Sequence, residues 1–147
     1  LEFIDSDAEI EARTGVDIAY IFEREGEAGF RSREAEVIDA LSRRDRVLVS
    51  TGGGAILDAS TRERLRARGR VVYLRTSVDQ QLARTRRSND RPLLNNDDPR
   101  GTLERLFEQR APLYTEVAEI VVDTDGRKVK AVVDQICHQL GIDGVEP

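Results

Sequence analysis

Apolar residues along the chain fall into short continuous runs that alternate with stretches spaced at three and four. Val47–Ser50, Val71–Leu74 and Ile120–Val122 are runs bounded by turn residues, and the run opening at Leu1 ends at Asp5. Each is strand-length and apolar on both faces, the pattern of strands buried in a parallel sheet. Between them the spacing changes to that of helices. A short helix is expected over 7–14, stopped by Gly15, and a second from an Asp17 N-cap to Gly26. Phe30, Val37, Ile38 and Leu41 mark a longer amphipathic helix over 27–43. Ser60 with Glu63 makes a capping-box pattern for a helix ending at Gly69, and Ser77 caps another through about Arg87. Residues 88–101 are polar and hold two prolines, which predicts a loop long enough to act as a lid. Helix returns over 102–114, and Val129, Val132, Ile136 and Leu140 define a last one ending at Gly141.

Strand and helix alternating four times imply one α/β domain over 1–147, a three-layer sandwich with a short parallel sheet between helices. The length of 147 residues suits one such domain, and 39% hydrophobic with 35% charged residues argues against a disordered or fibrous chain. No apolar run approaches a membrane span, so a soluble cytoplasmic protein is expected. One cysteine, Cys137, and one histidine, His138, argue against disulfide scaffolds and against zinc sites needing two imidazoles. Cys137 reads as core and His138 as surface. The charge is uneven: residues 1–45 carry 13 Asp or Glu against 6 Arg, while 84–110 carry 7 Arg against 5 acids. That is no concentrated basic stripe, so nucleic acid is not an expected partner, whereas a small anion is compatible with it.

In open α/β sheets ligands bind at the carboxyl ends of strands, which directs attention to the residues following each run. Asp5-Ser6-Asp7 places two carboxylates there, suited to a magnesium ion or a substrate hydroxyl, or else simply to capping the next helix. Arg31 and Glu34 stand one helical turn apart. They are either an ordinary surface pair or a guanidinium oriented by a carboxylate to grip a substrate carboxylate. Gly52-Gly53-Gly54 directly follows a strand. Three glycines exceed what a tight turn needs and point to a backbone that something approaches closely. Arg91 in Arg91-Pro92-Leu93-Leu94 sits in the candidate lid, where closure would bring its charge to a transferring phosphoryl group. Arg110 lies near a helix end, where a cation also complements the helix dipole.

Taken in order, Asp5-Ser6-Asp7, Phe22, Phe30-Arg31 with Glu34, Gly52-Gly53-Gly54, Arg91-Pro92-Leu93-Leu94 and Arg110 with Pro112-Leu113-Tyr114 resemble the shikimate kinase family. The resemblance runs from Leu1 to about Leu140. It implies a P-loop, nucleoside-monophosphate-kinase-like fold and ATP-dependent phosphorylation of the 3-hydroxyl of shikimate, on the route to chorismate and aromatic amino acids. By the same resemblance Asp7 would orient or deprotonate the attacking hydroxyl, and Asp5 would help hold hydrated Mg2+ through water. Arg31, oriented by Glu34, and Arg110 would clamp the shikimate carboxylate. The Gly52, Gly53 and Gly54 amides would meet ring hydroxyls, and Phe22 and Phe30 would line the pocket. Arg91 would reach the phosphates and Arg127 would lie along the adenine. A monomer is expected.

The family also carries a Gly-x-x-Gly-x-Gly-Lys-[Ser/Thr] loop that cradles ATP phosphates. This sequence has no such loop, and its lysines are Lys128 and Lys130 alone. The expectation is therefore an N-terminally truncated member lacking its first strand, phosphate loop and first helix, some 25 residues, with the stretch 1–147 inactive by itself. The missing strand would lie mid-sheet, between the second and third strands present. Two other readings remain open: a gluconate-type sugar-acid kinase on the same scaffold, and a metabolite-sensing domain of this fold without kinase activity.

Overall fold

The computed structural model describes residues 1–85 and 97–142. Four strands and six helices follow one another as β1 (Glu2–Asp5), α1 (Ser6–Thr14), α2 (Ile18–Ser42), β2 (Val47–Ser50), α3 (Ala59–Arg68), β3 (Val72–Arg75), α4 (Val78–Thr85), α5 (Pro99–Val117), β4 (Ile120–Asp123) and α6 (Val129–Leu140). A 3-10 turn, Ala55–Leu57, separates β2 from α3. The α/β alternation expected from the sequence is present, with every strand pair parallel.

The strands form two separate two-stranded sheets, β1–β2 and β3–β4, rather than one. Register pairs Ile4 with Val49 and Phe3 with Leu48 in the first, and Leu74 with Val122 in the second. Side chains alternate across a strand, so Ile4 and Val49 pack on the helices, whereas Phe3, Leu48 and Leu74 are 64%, 55% and 51% exposed. The expectation of strands covered on both faces therefore holds for one face among the described residues.

Each sheet has its own apolar cluster. Ile10, Ile21, Phe30, Val37 and Leu41 join α1 and α2 against β1–β2. Ile120, Val122 and Val132, with Val72, Ile136 and Leu140, seat α6 on β3–β4. Val129, counted among the apolar positions of that last helix, is 79% exposed, at the helix's first turn. Cys137 is half-buried and His138 exposed.

Helix ends explain most boundaries. Gly15 closes α1 at φ 74°, and Asp17 accepts the Tyr20 amide at 2.8 Å to start α2. The two helices expected on either side of Gly26 form one element with a break at that residue, whose φ of 71° and ψ of −177° interrupt the turn. Asp58, not Ser60, caps α3: its carboxylate takes both the amide and the hydroxyl of Thr61, at 2.8 and 2.9 Å. Ser60 lies inside the helix. Ser77 caps α4 as expected, with Oγ 3.2 Å from the Gln80 nitrogen. Helix α5 starts at Pro99 rather than at residue 102, because Asp98 caps it and proline at the first helical position needs no amide partner. Residues 99–101 of the expected lid are thus helical, and Arg91, with 86–96, lies outside the described residues. No described helix is long and apolar enough to cross a membrane.

Candidate active site

Four segments meet at one place: the start of α1, the middle of α2, the turn after β2 and the second half of α5. Asp5 ends β1 and spends one carboxylate oxygen on capping α1, accepting the Asp7 and Ala8 amides at 2.9 and 3.2 Å. Asp5, rather than Ser6 or Asp7, is therefore the cap of α1. Ser6 is fully buried and Asp7 lies beside the glycine turn, its Oδ1 3.3 Å from where a Cβ on Gly52 would stand.

Arg31 and Glu34 project from α2 toward the same turn. Their Nη1–Oε1 separation is 2.9 Å, and Glu27 lies 3.5 Å from the other terminal nitrogen of Arg31. Glu34 is 2% exposed, so this is no surface pair. Burial raises the Glu34 carboxyl above the usual carboxylate range. The Arg31 charge and hydrogen bond oppose that rise, and the Asp7 charge adds to it. Glu34 Oε2 has no hydrogen-bond partner, and it sits 3.1 Å from the Cβ position of Gly52. A carboxylate this buried requires the cation beside it.

Arg110 is 9% exposed within α5, two turns before the helix ends, so completing the helix dipole does not explain it. Its Nε is buried without a partner, and its Nη1 lies 3.2 Å from the Cβ position of Gly53. The charges of Arg31 and Arg110 both bear on Glu34 and on Tyr114, which places the two guanidiniums around one spot.

The triple glycine is explained by approach rather than by twist: none of its three members has positive φ. A Cβ on Gly54 would collide with the Arg31 guanidinium, and one on Gly52 or Gly53 would press on carboxylates, on Arg110 and on the Tyr114 hydroxyl. A cavity of about 200 Å3 adjoins the turn, lined by Arg31, Glu34, Gly54, Leu57, Asp58 and Thr61.

The remaining expected residues fall less directly on the site. Phe22 and Phe30 contact each other with ring centroids 4.8 Å apart, but Phe30 is 4% exposed and belongs to the core. Its link to the site is the Arg31 guanidinium, 5.1 Å above its ring. Arg127 is exposed and tied to its own helix region, through the Asp123 and Ala131 carbonyls at 3.1 and 3.2 Å and the Gln135 side chain. No group of three or more His, Cys, Asp or Glu is placed to hold a metal ion among the described residues.

Tyr114 carries no role in the sequence reading, yet its hydroxyl donates to the Gly53 carbonyl and its ring stacks on Tyr73 of β3 at 4.6 Å. Its place four residues after Arg110, on the same helix face, was the available clue. What these residues form is a cluster of two guanidiniums, Arg31 and Arg110, and two carboxylates, Asp7 and Glu34, gathered around the glycine turn. Such a cluster suits a small carboxylate-bearing polyol.

Comparison with known proteins points to one family. A family model described as shikimate kinase matches residues 1–141. The shikimate kinase of Halorhodospira halophila is 57% identical over 140 residues, covering 95% of this chain and 79% of that protein. That of Shewanella amazonensis is 54% identical over 141 residues, covering 96% and 82%. Among solved structures, a shikimate kinase from Acinetobacter baumannii in complex with shikimate matches with a TM-score of 0.92 at 46% identity, covering 95% of this chain and 78% of that one. The enzyme from Aquifex aeolicus matches with a TM-score of 0.81 at 34% identity, covering 96% and 82%.

Proposed function

The chain belongs to the shikimate kinase family, ATP-dependent phosphotransferases acting on the 3-hydroxyl of shikimate, and from that premise we propose that the cluster around the glycine turn is the shikimate site. Arg31 and Arg110 grip the substrate carboxylate, each guanidinium offering a planar fork. Glu34 holds Arg31 in position. The Gly52–Gly54 backbone meets ring hydroxyls, and Asp7 accepts the hydrogen bond of the hydroxyl to be phosphorylated, orienting it and drawing its proton as the new P–O bond forms and the bond from the γ-phosphorus to the bridging oxygen breaks, releasing ADP. Phe22 and Phe30 support this wall from the core side. The observation that carries the reading is the buried Arg110, whose Nε has no protein partner beside the glycine turn.

Phosphoryl transfer requires positioning and charge neutralisation more than covalent help. Arg91 supplies positive charge to the transferring phosphate from the lid segment that precedes α5, and Arg127 lies along the adenine of ATP. Asp5 fits magnesium only at a distance: one of its oxygens is committed to the helix cap, which leaves the other to hold a water ligand of the ion. Magnesium, when bound with ATP, neutralises phosphate charge. The chain is a single domain, acting in the cytoplasm as a monomer.

The reading is tested by calorimetric titration with shikimate and with its methyl ester. Saturable one-to-one binding of shikimate is expected, with the ester about a hundredfold weaker for loss of the charged fork contacts. Equal affinity for the two would refute the role of the arginines.

A further inference from the structure

Resting on the shikimate-site reading above, we propose that Tyr114 is a positioning residue that aims the glycine-turn backbone at the substrate's ring hydroxyls. Its hydroxyl donates to the carbonyl oxygen of Gly53. That carbonyl belongs to the peptide joining Gly53 to Gly54. A trans peptide is planar and carries its N–H opposite its C=O, so anchoring the Gly53 oxygen fixes the direction of the Gly54 N–H.

Glycines need such an anchor. With no side chains of their own to hold them, three in succession can rotate a peptide plane at little steric cost. The turn's own hydrogen bonds, Ala55 nitrogen to Gly52 oxygen at 3.2 Å and Leu57 nitrogen to Gly54 oxygen at 3.1 Å, fix the carbonyls on either side and not that of Gly53. Tyr114 supplies the missing restraint from another element.

The ring is itself well held. It stacks on Tyr73 with centroids 4.6 Å apart and planes 30° from parallel. Tyr73 lies on β3 and Gly53 follows β2, and these strands belong to separate sheets. One side chain of α5 therefore bridges both, one turn from Arg110. Burial pushes the Tyr114 hydroxyl above its ordinary range, with Arg110 and Arg31 opposing and the Glu34 charge adding. The group stays protonated and remains a donor at neutral pH.

Tyr114→Phe removes the donor and keeps the stacking ring. Two ligands separate its effect from general loosening: shikimate, and cyclohex-1-ene-1-carboxylate, which keeps the carboxylate and lacks every hydroxyl. The variant should bind shikimate about tenfold more weakly, as expected for one lost hydrogen bond of about 1.4 kcal/mol, while its affinity for cyclohexenecarboxylate stays within about twofold of the unaltered protein's. Unchanged shikimate affinity would overturn the proposal, and so would an equal loss for both ligands, which marks an effect through Arg110, whose side chain bonds the same hydroxyl, or through the fold. A second measurement on the unaltered protein does not depend on how the variant folds. The Gly54 amide resonance should shift on adding shikimate and not on adding cyclohexenecarboxylate; a resonance indifferent to shikimate overturns the proposal. If the unaltered protein binds cyclohexenecarboxylate and shikimate equally well, the proposal falls while the carboxylate clamp stands. If it binds neither, the site reading falls and the proposal falls with it.

Discussion

Replacing Arg31 by alanine removes a group that serves both ligand and fold, and the two losses can be read separately. Toward the ligand, a guanidinium fork on a carboxylate makes charge-assisted hydrogen bonds worth roughly 1.5–3 kcal/mol each. Losing the fork should cost about 3 kcal/mol, a weakening of shikimate binding by about two orders of magnitude. Toward the fold, Arg31 Nη1 stands 2.9 Å from a Glu34 side chain that is 3% exposed. Stripping a buried carboxylate of its partner costs roughly 3–5 kcal/mol when the charge must persist. Glu34 has an escape, because burial already raises its carboxyl and makes protonation easier. The stability loss should therefore be nearer about 2 kcal/mol at neutral pH and should shrink in acid, where the carboxyl is neutral. Calorimetry measures the first effect and denaturant unfolding at two pH values the second. A folded Arg31→Ala protein that binds shikimate within about threefold of the original would refute the ligand role. A stability loss that does not shrink in acid would refute the pairing argument.

Glu34→Gln tests the same carboxyl from the other side. Because the folded-state pKa of Glu34 is raised from 4.5, its stabilising contribution is full below that value and is lost as pH rises through the raised one. The variant should equal or exceed the original in stability at neutral pH and lose that advantage below about pH 4.5, the ordinary value for the group. Denaturant midpoints across that range check it, and a destabilised variant at pH 7 contradicts it. Gly54→Ala should displace the Arg31 guanidinium from Glu34 and weaken shikimate binding about tenfold, with a stability loss of up to about 2 kcal/mol, the same as for removing that partner altogether. A Kd within twofold of the original would show the approach to be incidental. Phe30→Ala should lose about 3–5 kcal/mol in urea unfolding, since the ring is buried among Ile10, Ile21, Val37 and Leu41. A loss under 1 kcal/mol would place the ring outside the core.

How far the chain could be read in advance depended on whether a residue's meaning was local. The strands and the apolar stripe Phe30, Val37, Ile38, Leu41 depend on spacing alone, and all four of those helix residues are buried. Arg31 and Glu34 were ambiguous because a surface pair and a buried one have the same spacing; only the 2% exposure of Glu34 separates them. Ser60 carries the stronger capping signal in the sequence, and Asp58 caps α3 because the 3-10 turn before it brings the chain into the helix two residues earlier. Pro99 reads as a loop residue in the sequence, yet it opens α5 because Asp98 caps the helix ahead of it. Tyr114 was invisible as an actor, since its partners Gly53 and Tyr73 are 61 and 41 residues away. The two sheets part between β2 and β3, the point at which the family resemblance interrupts the strand order, whereas periodicity within a strand alone does not encode that pairing.

The most direct measurement is a crystal structure of the protein with shikimate bound. The carboxylate should lie within hydrogen-bond distance of both the Arg31 and Arg110 guanidiniums, with ring hydroxyls against Asp7 and the glycine-turn backbone. Shikimate bound elsewhere, or turned with its carboxylate away from both arginines, would contradict the account.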